Sequence, residues 1–511
     1  MITLTIDKWL SHHATYRPHH LAVVFEDKRL SFYELNLSIN RLCNALQEAG
    51  ISKGDKIATF LPNSLELYEL YWATAKMGAV IVPMSPLVRG NGLINLFNDA
   101  DAKLIVTDQA HASFIDDVRN HLSASFFWLT DTDEVGWENY HQQKANASES
   151  EPKVETIVAD DLYNIMYSSG TTGLPKGIVH SHFVRAMYGS LFANAFRITP
   201  ESVVMHSGAI IFNGSMLTFM PAMYMGCTFV LLKEFNASKV IDCIAQEQVT
   251  HTILVPTQII GCLKYPRFTL ENLPSIEYIL SVGAPLLEET KREFTSKFPR
   301  IFYELYGLTE GFMTILDRTV SDIKMGSVGR PPIFMNMKIV DGQGQEVPAG
   351  TVGEIIGNGP LLMPGYYQKP ELTRETIKDG WLYTGDLGYV DEDGYLFLAG
   401  RKKELIISGG VNVYPKDIEE IIIRHPAVQE VAVFGVPHPD WGETPVAAVV
   451  LNSKAVTASD IAKWTNNNIE ARFQKISDVY VLHEFPKNAA GKVVKGDLLK
   501  MYRGCYFSSN D

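Results

Sequence analysis

Helical and strand-like hydrophobic patterns alternate along the first half of the chain. Ser31 and Glu34 have the spacing of a capping box, and apolar residues then recur on one helical face until Gly50. That face consists of Leu35, Ile39, Leu42 and Leu46. Strand-like runs at 56–61, 79–84 and 104–107 follow, with a second helical run at 65–76 between the first two. Such alternation predicts an α/β body with mainly parallel sheets.

One stretch of this body, residues 202–232, contains no Asp, Glu, Lys or Arg. Its length would allow it to span a bilayer, but Asn213, Pro221 and Gly226 interrupt it. We therefore predict a buried helix, a turn at Gly226 and a buried strand. Residues 137–155, in contrast, are polar and weakly apolar, which predicts a surface loop.

The last part of the chain has shorter elements of mixed type. We predict a turn at 391–394, a strand at 395–399, a helix at 416–425 with Ile418, Ile421 and Ile422 inward, a strand at 430–434 and a helix at 461–469. This mixture of short helices and strands predicts a compact α+β domain of about a hundred residues. We place the boundary at Gly400–Arg401. The fold class is then α/β multidomain, with a large N-terminal domain (1–400) and a small, mobile C-terminal domain (401–511).

Composition narrows the class of protein. An apolar content of 46% and a charged content of 20% in 511 residues are typical of a globular protein. The net charge of −13 disfavours nucleic acid as a partner. Five scattered cysteines disfavour a disulfide framework or a zinc site, and residues 1–20 lack a signal-peptide pattern. We expect a cytoplasmic protein without a transmembrane segment, and we allow for a homodimer.

A loop rich in glycine and hydroxyl side chains extends from Tyr167 to Gly177. It reads Tyr-Ser-Ser-Gly-Thr-Thr-Gly-Leu-Pro-Lys-Gly and precedes a helical run in which Phe183, Met187 and Leu191 recur. Glycines let backbone N–H groups approach a phosphate, hydroxyls add donors and the lysine adds charge. It is not a Walker A loop, because the hydroxyl after the lysine is missing. We expect a phosphate-binding loop between a strand and a helix; the alternative is an ordinary turn.

Two further blocks could bind the rest of a nucleotide. In residues 303–310, Tyr306 offers an aromatic face to a base, Thr309 a hydroxyl to a phosphate and Glu310 a carboxylate to Mg²⁺. Taken alone, the same block would be a strand end followed by a helix start. In residues 383–388, Asp386 could accept hydrogen bonds from ribose hydroxyls, or it could simply form a turn.

Two last blocks lie in the C-terminal region. Residues 400–415 read as a charged hinge, a buried strand and a turn at Gly409-Gly410, where backbone could lie beside a thin ligand. Residues 486–492 form a loop ending in Lys492, a residue that alone would be an ordinary solvated lysine.

These five blocks, in this order, resemble the adenylate-forming (AMP-binding) superfamily, of the acyl-CoA synthetase type, over nearly the whole chain. The resemblance implies ATP, Mg²⁺ and coenzyme A. It assigns ATP binding to Ser168, Ser169, Gly170, Thr171, Thr172, Gly173, Lys176, Gly283, Ala284, Pro285, Glu304, Tyr306, Gly307, Thr309, Asp386 and Arg401. It assigns catalysis to Thr309, Glu310, Lys403 and Lys492, the metal to Glu310, and coenzyme A binding to Gly409 and Gly410.

The resemblance also implies two half-reactions. A carboxylic acid, the small-molecule partner, attacks ATP to form acyl-AMP, and the thiol of coenzyme A then takes the acyl group. Between the steps the small domain rotates about Lys403, so that Lys492 withdraws and Gly409-Gly410 face the site. Two alternatives stay open: a ligase that loads a carrier protein instead of free coenzyme A, and a binding protein that keeps the fold without the chemistry.

The acid pocket departs from the common family pattern. Many such ligases carry Pro-x-x-His where this chain has Phe212 and Asn213, and His206 lies in a different frame. The stretch 210–223 contains no basic residue. We therefore predict an acid with an apolar tail, either a medium- or long-chain fatty acid or an aryl acid.

Overall fold

The structure, a computed structural model, describes residues 4–168, 176–453, 455–487 and 493–508. Up to residue 168, the helices are α1 (Trp9–Tyr16), α2 (Phe32–Glu48), α3 (Leu65–Met77), α4 (Asn91–Asp99), α5 (Gln109–Asp116) and α6 (Tyr140–Asn146). The strands there are β1 (Leu21–Phe25), β2 (Lys28–Ser31), β3 (Lys56–Phe60), β4 (Val80–Pro83), β5 (Ala102–Thr107), β6 (Phe126–Leu129), β7 (Glu138–Asn139) and β8 (Leu162–Ser168).

From residue 176 to 316, strands and helices continue to alternate. The strands are β9 (Lys176–Ser181), β10 (Val203–His206), β11 (Thr228–Leu231), β12 (His251–Leu254), β13 (Tyr278–Val282), β14 (Phe302–Gly307) and β15 (Met313–Leu316). The helices are α7 (His182–Ala195), α8 (Met216–Met225), α9 (Ala237–Glu247), α10 (Pro256–Leu263) and α11 (Glu288–Lys297).

The remaining elements are mostly strands. These are β16 (Asn336–Val340), β17 (Gly353–Asn358), β18 (Ile377–Lys378), β19 (Trp381–Val390), β20 (Leu396–Arg401), β21 (Ile406–Ser408), β22 (Val411–Val413), β23 (Val428–His438), β24 (Gly442–Leu451) and β25 (Asp478–Leu482). The helices are α12 (Pro370–Thr376), α13 (Pro415–Ile422), α14 (Ala458–Asn468) and α15 (Lys495–Ser508).

The described residues divide into two compact units. The first comprises 4–168, 176–336 and 357–382, and the second comprises 337–356 and 383–508, with the gaps given above. The domain boundary that we predicted from the sequence, Gly400–Arg401, lies inside the second unit. The boundary between a large N-terminal domain and a mobile C-terminal domain stays a prediction.

Two large sheets organise the first unit. One has the strand order β7-β6-β5-β3-β4-β8-β9 and is parallel except for the β8–β9 pair. The other has the order β15-β14-β13-β12-β10-β11-β1-β2 and is antiparallel only at its two edges. The prediction of an α/β body with mainly parallel sheets is confirmed.

Local sequence signals account for several of these elements. The Ser31 hydroxyl caps α2 and the Glu34 carboxylate accepts from the Ser31 backbone N–H, so the predicted capping box is present. The four apolar residues of the predicted α2 face are fully buried. The uncharged stretch contains the buried helix α8, a left-handed Gly226 with φ +73° and the buried strand β11, as predicted. Among the described residues, no helix has both the length and the apolarity that crossing a membrane requires.

Two local predictions are wrong. The segment predicted as a surface loop contains α6, because Asn139 caps it and the Tyr140 ring is buried, with its hydroxyl donating to Glu69 at 2.8 Å. The glycine-rich loop does not lead directly into a helix. Its flanks are the antiparallel strands β8 and β9, with Ser168 paired to Lys176, and α7 begins only at His182. The two strands that flank the loop, β8 and β9, therefore form an antiparallel pair, and the first helix after β9 is α7.

The second unit contains a sheet of order β22-β21-β24-β23, with β25 parallel to β24. Helices α13 and α14 place Ile418, Ile422 and Ile461 in the apolar core that this sheet shares, whereas Ile421 is only half-buried at its edge. The α+β structure predicted for this region is confirmed. A further sheet has the strand order β16-β17-β19-β18, with β20 paired to β19.

Candidate active site

The predicted adenine segments lie side by side at one edge of the eight-stranded sheet. Strands β13 and β14 are parallel, with Ser281 opposite Glu304, so the segments that follow the two strands leave the sheet at the same edge. Beyond β13 come the exposed residues Gly283, Ala284 and Pro285; at the end of β14 come the half-buried Tyr306 and the exposed Gly307. The carboxyl edge of parallel strands is where open α/β sheets bind ligands.

The chain then reverses tightly into β15. Gly307 pairs with Met313, and a Cβ at residue 307 would lie only 2.8 Å from the Met313 Cβ, so the turn requires glycine. The Tyr306 ring meets the Phe312 ring edge-on, with centroids 6.5 Å apart. The block 303–310 is therefore a strand end followed by a hairpin turn, and no helix begins at Thr309.

Glu304 is directed into the protein interior. Its carboxylate forms a buried ion pair with Lys291, whose ammonium also donates to the Met325 carbonyl at 2.8 Å. The two side chains are only 4% and 6% exposed. Because a buried cation already binds this carboxylate, the pair supports the fold at the base of the site; binding of ATP by Glu304 stays a prediction.

Glu310 is held by Tyr366, a residue that belongs to none of the sequence motifs. The Tyr366 hydroxyl donates to Glu310 Oε1 at 2.8 Å, and the Met363 N–H donates to the Glu310 carbonyl at 2.9 Å. The Lys176 ammonium lies 5.7 Å from the centroid of the same Tyr366 ring. Tyr366 thus connects the lysine of the glycine-rich loop with the predicted metal ligand.

The position of Tyr366 follows from strand pairing. Residues 365–367 lie against β9: Val179 N–H donates to the Gly365 carbonyl at 3.1 Å and Tyr367 N–H to the Gly177 carbonyl at 2.7 Å. Burial and the neighbouring Glu310 carboxylate raise the pKa of Tyr366, so it stays a hydrogen-bond donor at neutral pH. Only the aromatic pair after Gly365 marked this segment in the sequence.

The residues around Glu310 suit magnesium. Among the residues the structure describes, no group of three His, Cys, Asp or Glu side chains could form a protein cage for a metal. Mg²⁺ typically binds one or two carboxylates together with phosphate oxygens and water. A single carboxylate, oriented by Tyr366, fits that kind of ion and would leave most ligand positions to the nucleotide.

The predicted acid-pocket residues lie at the start of α8. Phe212 and Asn213 are half-buried in the turn before that helix. Asn213 accepts from the Arg185 guanidinium at 2.9 Å and donates to the Tyr188 hydroxyl at 3.2 Å. Residues 210–223 contain no basic residue, but α7 brings Arg185 to this wall from 28 residues upstream of Asn213. His206 is buried, which lowers its pKa to about 4 and keeps it neutral.

In the second unit, the pairing of β19 with β20 brings the two predicted ribose-binding residues together. Asp386 on β19 lies directly opposite Arg401 on β20, and Arg401 Nε is 3.2 Å from Asp386 Oδ1. The Asp386 side chain is 11% exposed and the Arg401 side chain 52%. The carboxylate is thus oriented by a cation at the rim of the sheet, as a group that accepts from two sugar hydroxyls would need to be.

The other predicted residues of this unit are exposed. Lys403 lies in a short 3₁₀ turn, Lys402–Glu404, and its neighbour Lys402 contacts Glu354 at 2.7 Å. Gly409 and Gly410 both have left-handed φ angles, +59° and +80°. A Cβ at Gly409 would lie 2.7 Å from the Trp441 ring, so this backbone packs closely under an indole.

Some predicted residues lie outside the described part of the chain. These are Ser169, Gly170, Thr171, Thr172, Gly173 and Lys492, together with the side chain of Ser168. Lys176, at the end of the loop, is described and half-buried.

Comparisons with known families agree with this arrangement. Residues 10–367 match the family described as AMP-binding enzyme, and residues 417–492 match the AMP-binding enzyme C-terminal domain. The two matches together include the blocks 167–177, 303–310 and 486–492, whereas the blocks 383–388 and 400–415 lie between them.

Individual proteins are similar over nearly their full length. The long-chain-fatty-acid–CoA ligase FadD13 of Mycobacterium tuberculosis is 32% identical, over 93% of this chain and 94% of that protein. A feruloyl-CoA synthase of Amycolatopsis is 30% identical, over 97% and 99%. The crystal structure of ATP-bound MatB from Rhodopseudomonas palustris superposes with a TM-score of 0.90 at 31% identity, covering 99% of this chain and 100% of that one.

Proposed function

Because the chain belongs to the family of AMP-binding enzymes, we propose that it is an ATP-dependent acid–CoA ligase. It would convert a carboxylic acid first to acyl-AMP and then to acyl-CoA. One observation supports this most strongly: the Tyr366 hydroxyl donates to Glu310, the proposed metal ligand, and the same Tyr366 ring lies beside Lys176 of the proposed phosphate-binding loop. The family resemblance drawn from the sequence is confirmed; the residue roles below are proposals.

In the first half-reaction the acid carboxylate attacks the α-phosphorus of ATP, and pyrophosphate leaves. Tyr306 and the Gly283–Pro285 backbone would bind the adenine, and Asp386 the ribose. Thr309, Lys176 and the loop 168–173 would contact the phosphates, and Lys492 would stabilise the charge that develops on the attacked phosphate. Mg²⁺, held by Glu310, would neutralise phosphate charge when bound.

In the second half-reaction the thiol of coenzyme A attacks the acyl carbonyl and AMP leaves. We assign the Gly409-Gly410 backbone to the pantetheine arm, because residues without side chains allow a thin ligand to approach. Both glycines are exposed and left-handed, which supports that use. Rotation of the C-terminal domain about Lys403 stays part of the proposal.

The acid should have an apolar body, of the fatty or aryl class. Helix α8, which follows Phe212 and Asn213, is buried along most of its length and carries no charged residue. Relatives named for a long-chain fatty acid and for ferulate are consistent with that class.

The alternative of loading a carrier protein is less supported, because the relatives reported above are named as ligases or synthases for coenzyme A. The test is AMP release by the purified protein with MgATP and a panel of acids, with and without coenzyme A. AMP release that requires coenzyme A, together with a thioester of the matching mass, is the expected result. Acyl-AMP that accumulates without any coenzyme A-dependent turnover would favour a carrier protein instead. No AMP and no acyl-AMP from any acid would refute ligase activity.

We also propose a reducing, cytoplasmic location. The four cysteines among the described side chains, Cys43, Cys227, Cys243 and Cys262, are all free thiols. Fractionation of the native cells would test the location. Whether the protein forms a homodimer stays a prediction, to be tested by mass measurement in solution.

A further inference from the structure

Arg185 is a fully buried arginine on α7. Its side chain has essentially no exposure to solvent. Its Nε donates to Asn164 Oδ1 at 2.8 Å, and its Nη2 contacts His180 Nδ1 at 3.1 Å and Asn213 Oδ1 at 2.9 Å. Its guanidinium carbon also lies 4.7 Å from the centroid of the Tyr188 ring. All of these partners are neutral groups.

The protonation state of His180 follows from its two contacts. His180 Nε2 lies 2.9 Å from the Thr309 carbonyl, so that nitrogen must carry the proton and donate. Nδ1 is then an acceptor, which suits the donors that approach it from Arg185 and Asn164. Burial, followed by the charge of Arg185, holds the pKa of His180 well below its ordinary value. The imidazole is therefore neutral and adds no second positive charge.

One guanidinium nitrogen is left without a partner. Nη1 of Arg185 is buried and makes no hydrogen bond within the described structure, so two N–H donors are unused. No Asp or Glu among the described residues pairs with this arginine. An arginine side chain stays charged even when buried. A buried charge without a counter-ion is strongly unfavourable, and proteins normally compensate it with an anion.

The position of this charge relates it to the substrate. Through His180 it is hydrogen-bonded to the backbone of Thr309, next to the predicted metal ligand Glu310. Through Asn213 it reaches the predicted acid pocket. The cluster of Asn164, His180, Arg185, Tyr188 and Asn213, which we call the Arg185 cluster, therefore lies between the phosphate-binding motif and the acid-binding wall.

We infer that the Arg185 cluster binds a second, negatively charged group of the acid substrate, so that the preferred acid has an apolar body and carries a carboxylate or similar anion in addition to the carboxylate that reacts. This inference rests on the proposed ligase function and specifies its substrate class. The unused donors of Nη1 supply the hydrogen bonds, and the guanidinium supplies the charge.

The reacting carboxylate would be a poorer counter-ion for Arg185. It loses its charge when it becomes the mixed anhydride of acyl-AMP, which would leave the guanidinium uncompensated in the intermediate. A second anionic group takes no part in the chemistry and keeps its charge through both half-reactions. A second anionic group would therefore compensate the charge of Arg185 in both half-reactions, which the reacting carboxylate cannot do.

The experiment compares matched acids that differ only at the end remote from the reacting carboxylate. Each aliphatic or aryl monocarboxylic acid is paired with the acid of equal length in which a terminal methyl group is replaced by a carboxylate. The rate measured is coenzyme A-dependent AMP release, expressed as kcat/KM. In at least one pair we expect the dicarboxylic acid to be preferred by about 10- to 100-fold, as for a hydrogen bond to a charged group.

Variants then assign the preference to Arg185. Arg185→Met keeps an apolar chain of similar length and should abolish the dicarboxylate preference, whereas Arg185→Lys should retain part of it. The matched control is Arg197→Met, because Arg197 follows on the same segment but pairs with Asp317 at the surface. This control should leave the ratio of the two acids unchanged. Binding of ATP by each variant reports that it has folded.

Several results would overturn the inference. Monocarboxylic acids turned over faster in every pair by the wild-type protein would refute it without any variant. A dicarboxylate preference that survives in a folded Arg185→Met would also refute it. AMP release from monocarboxylic acids alone would support the ligase function and refute the binding of a second anionic group. No AMP release from any acid would refute both the ligase function and this inference.

Discussion

Breaking the buried ion pair beneath the adenine segments should destabilise the protein without changing the reacting groups. Lys291 and Glu304 are 6% and 4% exposed, and the Lys291 ammonium has Glu304 and one carbonyl as partners. Glu304→Gln removes the negative charge and leaves a buried cation without compensation. Removing one member of a buried pair typically costs about 3–5 kcal/mol. We expect a loss of that size in the free energy of unfolding.

The assay is urea unfolding followed by fluorescence, with nucleotide binding measured on the same samples below the transition. The double variant Lys291→Met/Glu304→Leu replaces the pair with apolar side chains and should recover most of the stability. The control is Asp242→Asn, because the Asp242–Arg267 pair is at the surface, with both side chains more than 40% exposed. That control should show no measurable change.

The affinity of the folded double variant for ATP separates the two roles of Glu304. If Glu304 supports the fold only, the double variant binds ATP as the wild-type protein does. If the double variant is as stable as the wild-type protein but has lost ATP binding, Glu304 contacts the nucleotide directly and our argument from burial is wrong. A Glu304→Gln variant with unchanged stability would equally refute the argument.

Three further predictions concern the site and the pH range. Tyr366→Phe should slow acyl-AMP formation by about tenfold or more, because the hydrogen bond to the metal-binding carboxylate is lost; an unchanged rate would contradict the role given to that hydroxyl. Lys492→Ala should slow acyl-AMP formation by about 10²–10³-fold and largely spare thioester formation from supplied acyl-AMP; equal loss of both steps would contradict it. Burial lowers the pKa of His182, His206 and His251 each to about 4, so the unfolded chain binds their protons first as the pH falls below 6.5. Stability should therefore decrease between pH 6.5 and 4, by up to about 2 kcal/mol per histidine at pH 5, and urea unfolding at pH 7 and 5 would show whether it does.

Signals that are local in sequence predicted local structure well. The capping box of α2 and its apolar face depend on residues within one or two helical turns, and both are present. The same holds for α8, Gly226 and β11, where a lack of charge indicated burial. The predicted ribose residues Asp386 and Arg401 are also adjacent, although only the family resemblance, and no spacing rule, had connected them.

Features that depend on long-range pairing could not be predicted. Tyr366 reaches Glu310 because residues 365–367 lie along β9, a pairing across almost 190 residues of chain. In the predicted stripe of α7, Phe183 and Met187 are only half-buried and Leu191 is buried. The neighbouring Val184, Arg185 and Tyr188 are also buried. Hydrophobic periodicity predicts that a helix is present, but it does not show which side chains are buried when nearly all faces of the helix are buried. It therefore gave no reason to expect a buried arginine on α7. The charge in the acid-pocket wall was missed for that reason.

The pairing of Asp386 with Arg401 also indicates where the protein would tolerate added sequence. The two residues are held by the register of β19 and β20, and the chain connecting these strands turns at Asp391–Gly394, where Glu392 and Asp393 are exposed. A reporter peptide inserted between Glu392 and Asp393 would lengthen only the tip of the hairpin, and longer surface loops cost little. Deleting one residue within either strand would instead turn one of the paired side chains to the opposite face. This tip is therefore a suitable site for a fluorescent label to follow the second unit.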